Sequence, residues 1–367
     1  MRAFTIRQTA CFSSVAVVAA LALSCAPDGP SSVTGLDPNA RAARSIPTSY
    51  TGTSLGALAG DNSSRGNGVN DGGEVVGYSL GANGPRAFVT VSGSLTALPG
   101  ANSNALAVSN GSPRYVVGWV GAPSLPVRWT VSSGVPGQPA YLSMGSATYG
   151  AARGVNDLGQ SVGSLGNDAA IWDADGNVTL ILAPSGFVRG EGRGIDNAGH
   201  AVFVFSRPDP AWPDGITVGY LRLATGEMIA LPPSTASGIS YANALSQVSG
   251  STVQIAGSIS TSASSSRAVR WTVDVAQQQI VNTELRSEAS HAVAISDAGV
   301  AAGFTEGTTN SLRSDAFRWQ GSDLLTLSPP KTGKEAKAWA ISPSGAFIAG
   351  DAKLQTGRLA ILWRVSP

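Results

Sequence analysis

The sequence predicts an all-β protein, a seven-bladed β-propeller of four-stranded antiparallel blades over residues 49–367, closed by an N-terminal strand pairing with the last blade. Three observations predict it. One pattern recurs in seven copies between residue 65 and the C-terminus, about 39 to 50 residues apart. Each copy has room for four short strands, and the two ends of the repeat region are complementary. Four-stranded units of this length are what propeller blades require.

The first element of each copy is a turn. An apolar residue precedes a polar turn ending in glycine, and an apolar strand follows that itself usually ends in glycine. Gly-Val-Asn-Asp-Gly-Gly-Glu-Val-Val-Gly at 68–77 recurs almost residue for residue as Gly-Val-Asn-Asp-Leu-Gly-Gln-Ser-Val-Gly at 154–163. Further copies start at Val108, Ile195, Leu245, Ile295 and Ile341, with looser turns at 109–114 and 246–252. A tight hairpin needs a positive φ that glycine adopts without steric cost. Asp71, Asp157, Asp196 and Asp297 sit in these turns and are expected to be turn formers.

The second element is a strand of period two. It reads Ala-Phe-Val-Thr at 87–90, Pro-Val-Arg-Trp at 126–129, Ala-Ala-Ile-Trp at 169–172 and Ala-Phe-Arg-Trp at 316–319, with related blocks at 219–222, 268–271 and 360–363. Its second and fourth places share one face, and the expected role of the tryptophans is packing between blades. The arginines before Trp129, Trp271 and Trp319 then face the other way, as hydrogen-bond donors at a blade edge. A short fourth strand ends near Leu98-Pro99 and Leu231-Pro232.

The last copy stops just past its tryptophan strand, while residues 53–60 read like a fourth strand with no unit of their own. Pairing of 53–58 with 358–364 would close the ring and remove two exposed sheet edges. A parallel β-helix is the alternative, disfavoured because the repeats are much longer than its coils.

Ahead of the repeats, Arg2 and Arg7 precede an uncharged apolar run from Ala10 to Leu23, which has the form of a signal peptide over residues 1–24. A run of about fourteen residues is shorter than the roughly twenty needed to span a bilayer. Ala22-Leu23-Ser24-Cys25 resembles the lipobox of bacterial lipoproteins, which implies lipidation of Cys25, although Ala22 stands where a leucine is usual. Residues 25–48, with Pro27, Pro30, Pro38 and Pro47, read as a flexible tether of about 25 Å. Cys11 leaves with the signal peptide, so no internal disulfide is expected. The expected location is the bacterial cell surface or outer membrane, with membrane contact only through the lipid.

The Asn-Asp-x-Gly turn, the following Val-Val-Gly, the Ala-Phe-x-Trp block and the leading Leu-Gly-x-Leu-x-Gly resemble the bacterial probable extracellular repeat family of HAF type. That resemblance covers nearly the whole mature chain. It implies export and repeats and brings no established activity. The histidine of the family name is absent, replaced for example by Arg86 and Asp315.

Catalytic chemistry has little to build on. The two histidines, His200 and His291, lie in different repeats, and neither has a partner at metal-ligand spacing. There is no Gly-x-Ser-x-Gly elbow and no phosphate-cradling loop, so no cofactor is expected. Asp173-Ala-Asp175-Gly176 superficially resembles a calcium loop, but a hairpin between the third and fourth strands explains it. A net charge of +1 without a basic cluster lacks the footprint of a nucleic-acid binder.

The expectation is therefore a monomeric binding or scaffold module, not an enzyme, with a glycan, a peptide or an envelope protein as partner. The alternative is a propeller-type glycan hydrolase or lyase that takes carboxylates from different blades. Ligand contacts are expected on the face carrying the variable loops. Trp212 stands between prolines in the long segment 206–218, outside the repeat pattern. Four residues before each apolar anchor the repeats carry Arg65, Asn104, Ala151, Glu191, Tyr241, His291 and Lys337. This row is mostly polar where strand burial would favour apolar choices, and it is expected at the mouth of the central channel.

Overall fold

The computed structural model describes residues 49–366 apart from 211, 233–237, 263–264, 308–312 and 331–332. The signal segment 1–24, Cys25 and the tether to residue 48 lie outside the described residues. Among the described residues all regular structure is strand, with no helix.

The strands form six antiparallel sheets, the seven-stranded one of which joins two repeat units, so that seven units are described. Unit one runs outward through Asp61–Val69, Val75–Gly81, Gly84–Val91 and Ser94–Ala97. The other units repeat this order. Units five and six share the strand Gln279–Ile295, whose first half is the outer strand of unit five and whose second half is the inner strand of unit six.

Unit seven takes its inner three strands from Glu335–Ile341, Phe347–Leu354 and Gly357–Val365 and its fourth from the other end of the described chain, Tyr50–Gly56. Their register sets Tyr50 opposite Val365, Gly52 opposite Trp363 and Ser54 opposite Ile361. The strand begins three residues before the segment read from the sequence. Tyr50 explains this, because its hydroxyl donates to the Gly345 carbonyl at 2.6 Å and its ring packs on the Trp363 cluster.

Burial pushes the Tyr50 hydroxyl from 10.0 up to about 12. The folded value is raised, so the stabilisation from the neutral phenol is whole below pH 10 and is lost as pH climbs through about 12. The stability difference between the wild type and Tyr50→Phe should therefore shrink across that window, as read by denaturant unfolding at each pH. A constant difference would contradict it.

One sequence reading needs correction. Residues 206–218 are not a long loop, because strands Ala201–Asp209 and Trp212–Arg222 run through the segment and pair as far as Asp209 opposite Trp212. Alternating Ile216, Val218 and Tyr220, opposite Arg207, Phe205 and Phe203, extend the ladder.

Neighbouring units are joined by recurring contacts, each traceable to a repeat position. Three of the buried tryptophans donate to carbonyls that close the preceding unit, Trp129 to Pro99 at 2.8 Å, Trp172 to Ser143 at 2.7 Å and Trp363 to Ser328 at 2.7 Å, whereas Trp319 donates to Gly321 of its own unit. Arginines before the tryptophan reach the next unit's turn, Arg128 to Gly159 O at 2.6 Å and Arg270 to Gly299 O at 2.5 Å. Buried serines at the start of inner strands accept from the previous unit's third strand, as Ser103 does from Ala87 N at 2.9 Å and Ser64 from Ala360 N at 2.8 Å.

The turn residues also do more than form turns. Asp71 N donates to Asn110, Asn110 N to Asp157, Asp157 N to Asn197, Asn197 N to Gln247 and Gln247 N to Asp297, all between 2.6 and 2.9 Å. Asp297 N then donates to the Pro343 carbonyl, and Ser344 N returns to Asp71 at 2.7 Å. In unit seven the link shifts by one residue because Pro343 has no N–H.

Candidate functional site

Every inner strand carries the same irregularity. Its ladder slips by one residue between Gly66 and Gly68, Ala105 and Ala107, Ala152 and Gly154, Gly192 and Gly194, and likewise at 242/244, 292/294 and 338/340. Each slip leaves one bulged residue flanked by glycine or alanine: Asn67, Leu106, Arg153, Arg193, Asn243, Val293 and Trp339. The flanks are small because inner strands of adjacent units nearly touch. A Cβ on Gly154 would meet the Gly194 backbone at 2.9 Å, and one on Gly68 would meet the Ala107 backbone at 3.2 Å. A bulge re-aims its side chain away from such a packed flank.

The bulged residues and the row read from the sequence form one surface. The flanking small residues are mostly buried, while Arg65, Asn104, Glu191, Tyr241, His291 and Lys337 and all seven bulged residues are partly exposed. Ala151 is the buried exception in the row. The two sets interlock between units, a bulged side chain meeting the row residue of the next unit. Asn67 Nδ2 donates to Asn104 Oδ1 at 2.8 Å, and Arg153 Nε lies 2.7 Å from Glu191 Oε1. Across units seven and one, the Arg65 guanidinium lies 3.5 Å from the Trp339 ring centroid.

Two clusters dominate this inner face. At units six, seven and one, Phe304 packs on Trp339 with centroids 4.9 Å apart, Lys337 Nζ sits 4.6 Å over Phe304, and His291 Nε2 lies 2.7 Å from Glu306 Oε1. Asp351 accepts from Trp339 Nε1 at 2.5 Å and pairs with Arg358, which also holds Glu335 at 2.7 Å. Burial holds the Arg65 guanidinium below its ordinary value against the opposing pull of Asp351. At units three and four, Arg193 joins Arg153 on the same Glu191 oxygen at 2.8 Å.

The row lies on the inner strands, and the structure joins Arg65, Asn104, Glu191 and Lys337 to partners on neighbouring units, while His291 pairs with Glu306 of its own unit. Tyr241 makes no side-chain contact of this kind among the described residues. Trp212 sits apart, partly buried near the tip of the unit-four hairpin. The bulged residues were missed, although small-X-small recurs in all seven inner strands and is visible in the sequence. Asp173 forms the expected hairpin turn, accepting from Asp175 N at 3.0 Å and Asn177 N at 2.8 Å, with the Asn177 amide foremost in holding its carboxyl below the usual range. No cluster of three or more metal-ligating groups occurs among the described residues.

No family model and no curated protein matches the chain. Solved structures do share its fold. Virginiamycin B lyase from Staphylococcus aureus is 13% identical with a TM-score of 0.53, covering 87% of this chain and 100% of that one. Oligogalacturonate lyase from Vibrio parahaemolyticus is 8% identical with a TM-score of 0.56, covering 87% and 97%. At such identities the likeness shows the fold alone, a β-propeller.

Proposed function

We propose that the chain is an exported, lipid-anchored binding module, built as a closed seven-bladed propeller, that holds its ligand on the inner face of the ring. Support for closure comes from the pairing of Tyr50–Gly56 with the last strand and from the turn-to-turn hydrogen bonds that return from Ser344 to Asp71. One observation carries the binding reading. Partly exposed, chemically varied side chains occupy the same two positions of every inner strand except that of unit three, where Ala151 is buried and only Arg153 is partly exposed. Ligand sites are commonly concave and lined by a few convergent polar groups.

The expected result of a glycan and cell-wall-fragment screen is a ligand whose affinity falls at least tenfold in a His291→Ala, Lys337→Ala double variant. Trp212→Ala should have a smaller effect, since Trp212 stands apart from the inner face. A ligand that binds both folded variants as it binds wild type would move the site elsewhere.

A second reading, acid–base chemistry on a glycan, is favoured by the His291–Glu306 pair, 2.7 Å apart on this face. The binding reading expects the ligand to be recovered intact after incubation, and cleavage products in the mass spectrum would favour the second. Anchoring rests on Cys25 alone. Cys25→Ser should release the protein from the membrane fraction and abolish lipid labelling; retention of both would refute the anchor.

A further inference from the structure

We infer that Arg153 and Arg193 form an oxyanion subsite on the inner face of units three and four, which Glu191 fills in the absence of a ligand carrying a carboxylate or phosphate group. This rests on the inner-face binding reading and goes further by naming the chemistry of what binds.

The charge count is the first argument. Arg153 Nε and Arg193 Nε lie 2.7 and 2.8 Å from the same oxygen, Glu191 Oε1. Two guanidinium groups against one carboxylate leave one uncompensated positive charge. Like charges held together in a partly desolvated place are unfavourable until an anion joins them. Arg153 registers that cost. Burial lowers its pKa, Glu191 raises it, and the neighbouring Arg193 charge lowers it further.

Geometry is the second argument. Both arginines meet Glu191 through Nε, and among the described residues nothing accepts from their terminal nitrogens. The planar fork of terminal N–H groups is the part of arginine that matches carboxylate and phosphate oxygens in pairs. Their side chains are 35% and 33% exposed, so solvent reaches them.

Space is the third. Two residues before Arg153 on the same strand stands Ala151, where other units carry Arg65, Tyr241, His291 or Lys337. Beside Arg153 the row therefore presents only a buried methyl group, which carries no charge to compete with a ligand. Around the same face, Arg65 is matched by Asp351, whereas Lys337 has no carboxylate partner among the described residues and lies only against Phe304. Its charge adds to the attraction without competing for the subsite.

Isothermal titration of the folded mature chain with D-glucuronate and with inorganic phosphate, at ionic strength held constant with chloride, tests this. Wild type should bind at least one of them, and which one binds tells whether the ligand group is a carboxylate or a phosphate. Arg193→Gln should weaken binding tenfold or more, with Arg153→Gln standing in if melting shows that variant unfolded. Glu191→Gln, which keeps the shape and removes the competing charge, should tighten binding several-fold, a gain that a purely structural Glu191 would not give. Failure of both anions to bind wild type, or equal binding by wild type and these variants, overturns the inference. If the anions fail while a neutral saccharide binds wild type and is lost in the His291→Ala, Lys337→Ala variant, the binding reading stands and the oxyanion subsite does not.

Discussion

A chain beginning at residue 57 should melt on the order of 10 °C below one beginning at Ser49. Deletion of Tyr50–Gly56 removes six register pairs of ladder from unit seven. It also removes the Tyr50 bond to Gly345, the Ser64 bond to the Gly56 carbonyl and the Thr51–Ser366 hydroxyl pair. Each net hydrogen bond contributes roughly 1 kcal/mol. Apolar exposure adds to this, because Gly52 lies against the indole of the fully buried Trp363. The sum is several kcal/mol, and about 2–4 °C per kcal/mol is usual in domains of 150–250 residues, less in larger ones. The chain beginning at Ser49 controls for loss of the tether. Equal melting of the two chains would mean that the strand does not finish the unit.

The second large effect is expected from a single methyl group. The glycine read from the sequence as the end of the second strand lies inside it, because the strand runs on for two or more residues, and it recurs as Gly77, Gly118, Gly163, Gly257, Gly303 and Gly350. A Cβ on each would overlap the carbonyl oxygen of Arg65, Asn104, Ala151, Tyr241, His291 and Lys337 in turn. All six fall far inside the 3.0 Å that real Cβ atoms keep. The obstacle is backbone of the bulged inner strand, which has no rotamer by which to yield. Gly77→Ala should therefore cost about 3 kcal/mol, at the upper end for overpacking. Gly93→Ala is the comparison, with a φ of 82° but nothing within 4 Å of its Cβ, and should cost only about 1 kcal/mol. Similar losses in the two variants, measured by urea unfolding, would contradict the close approach. Unit four alone carries a side chain at this place, Phe203, and nothing in the structure explains the exception.

These two effects mark what the sequence made legible. Repeat length, the turn glycines and the period-two tryptophan block are local signals, and they led to the strands and to the complementary ends. Two of the three arginines before tryptophan, Arg128 and Arg270, are the donors the sequence suggested and bond the next unit's turn, while Arg318 is buried and pairs with Asp323 of its own unit. What lay hidden was contact between units. Asp71 and Asp157 read as turn formers because a turn needs only local bonds, yet the Asp157 carboxylate clasps the preceding unit 47 residues away and that of Asp71 clasps unit seven, 273 residues away. The bulges hid because a one-residue slip is a property of a strand pair, not of one strand. For that reason the row through Glu191 and His291 was found while Arg153, Arg193 and Trp339 were not. The extended unit-four hairpin was hidden by Pro208, Pro210 and Pro213, which read as loop although the flanking residues pair.

The measurement that bears most directly on the closed ring is a cross-link between its two ends. Thr51 and Arg364 are exposed partners across the closing ladder. Directly opposed residues in an antiparallel pair lie about 4.5–5.5 Å apart at Cα, within the range a disulfide spans. Thr51→Cys and Arg364→Cys, placed in a Cys25→Ser chain that starts after the signal segment, are then the only cysteines present. Under mild oxidation the account predicts a monomer with one internal disulfide, seen as linked peptides carrying residues 51 and 364, and a raised melting temperature. A folded monomer whose two thiols stay free, or cross-links formed only between chains, would contradict closure by the first strand.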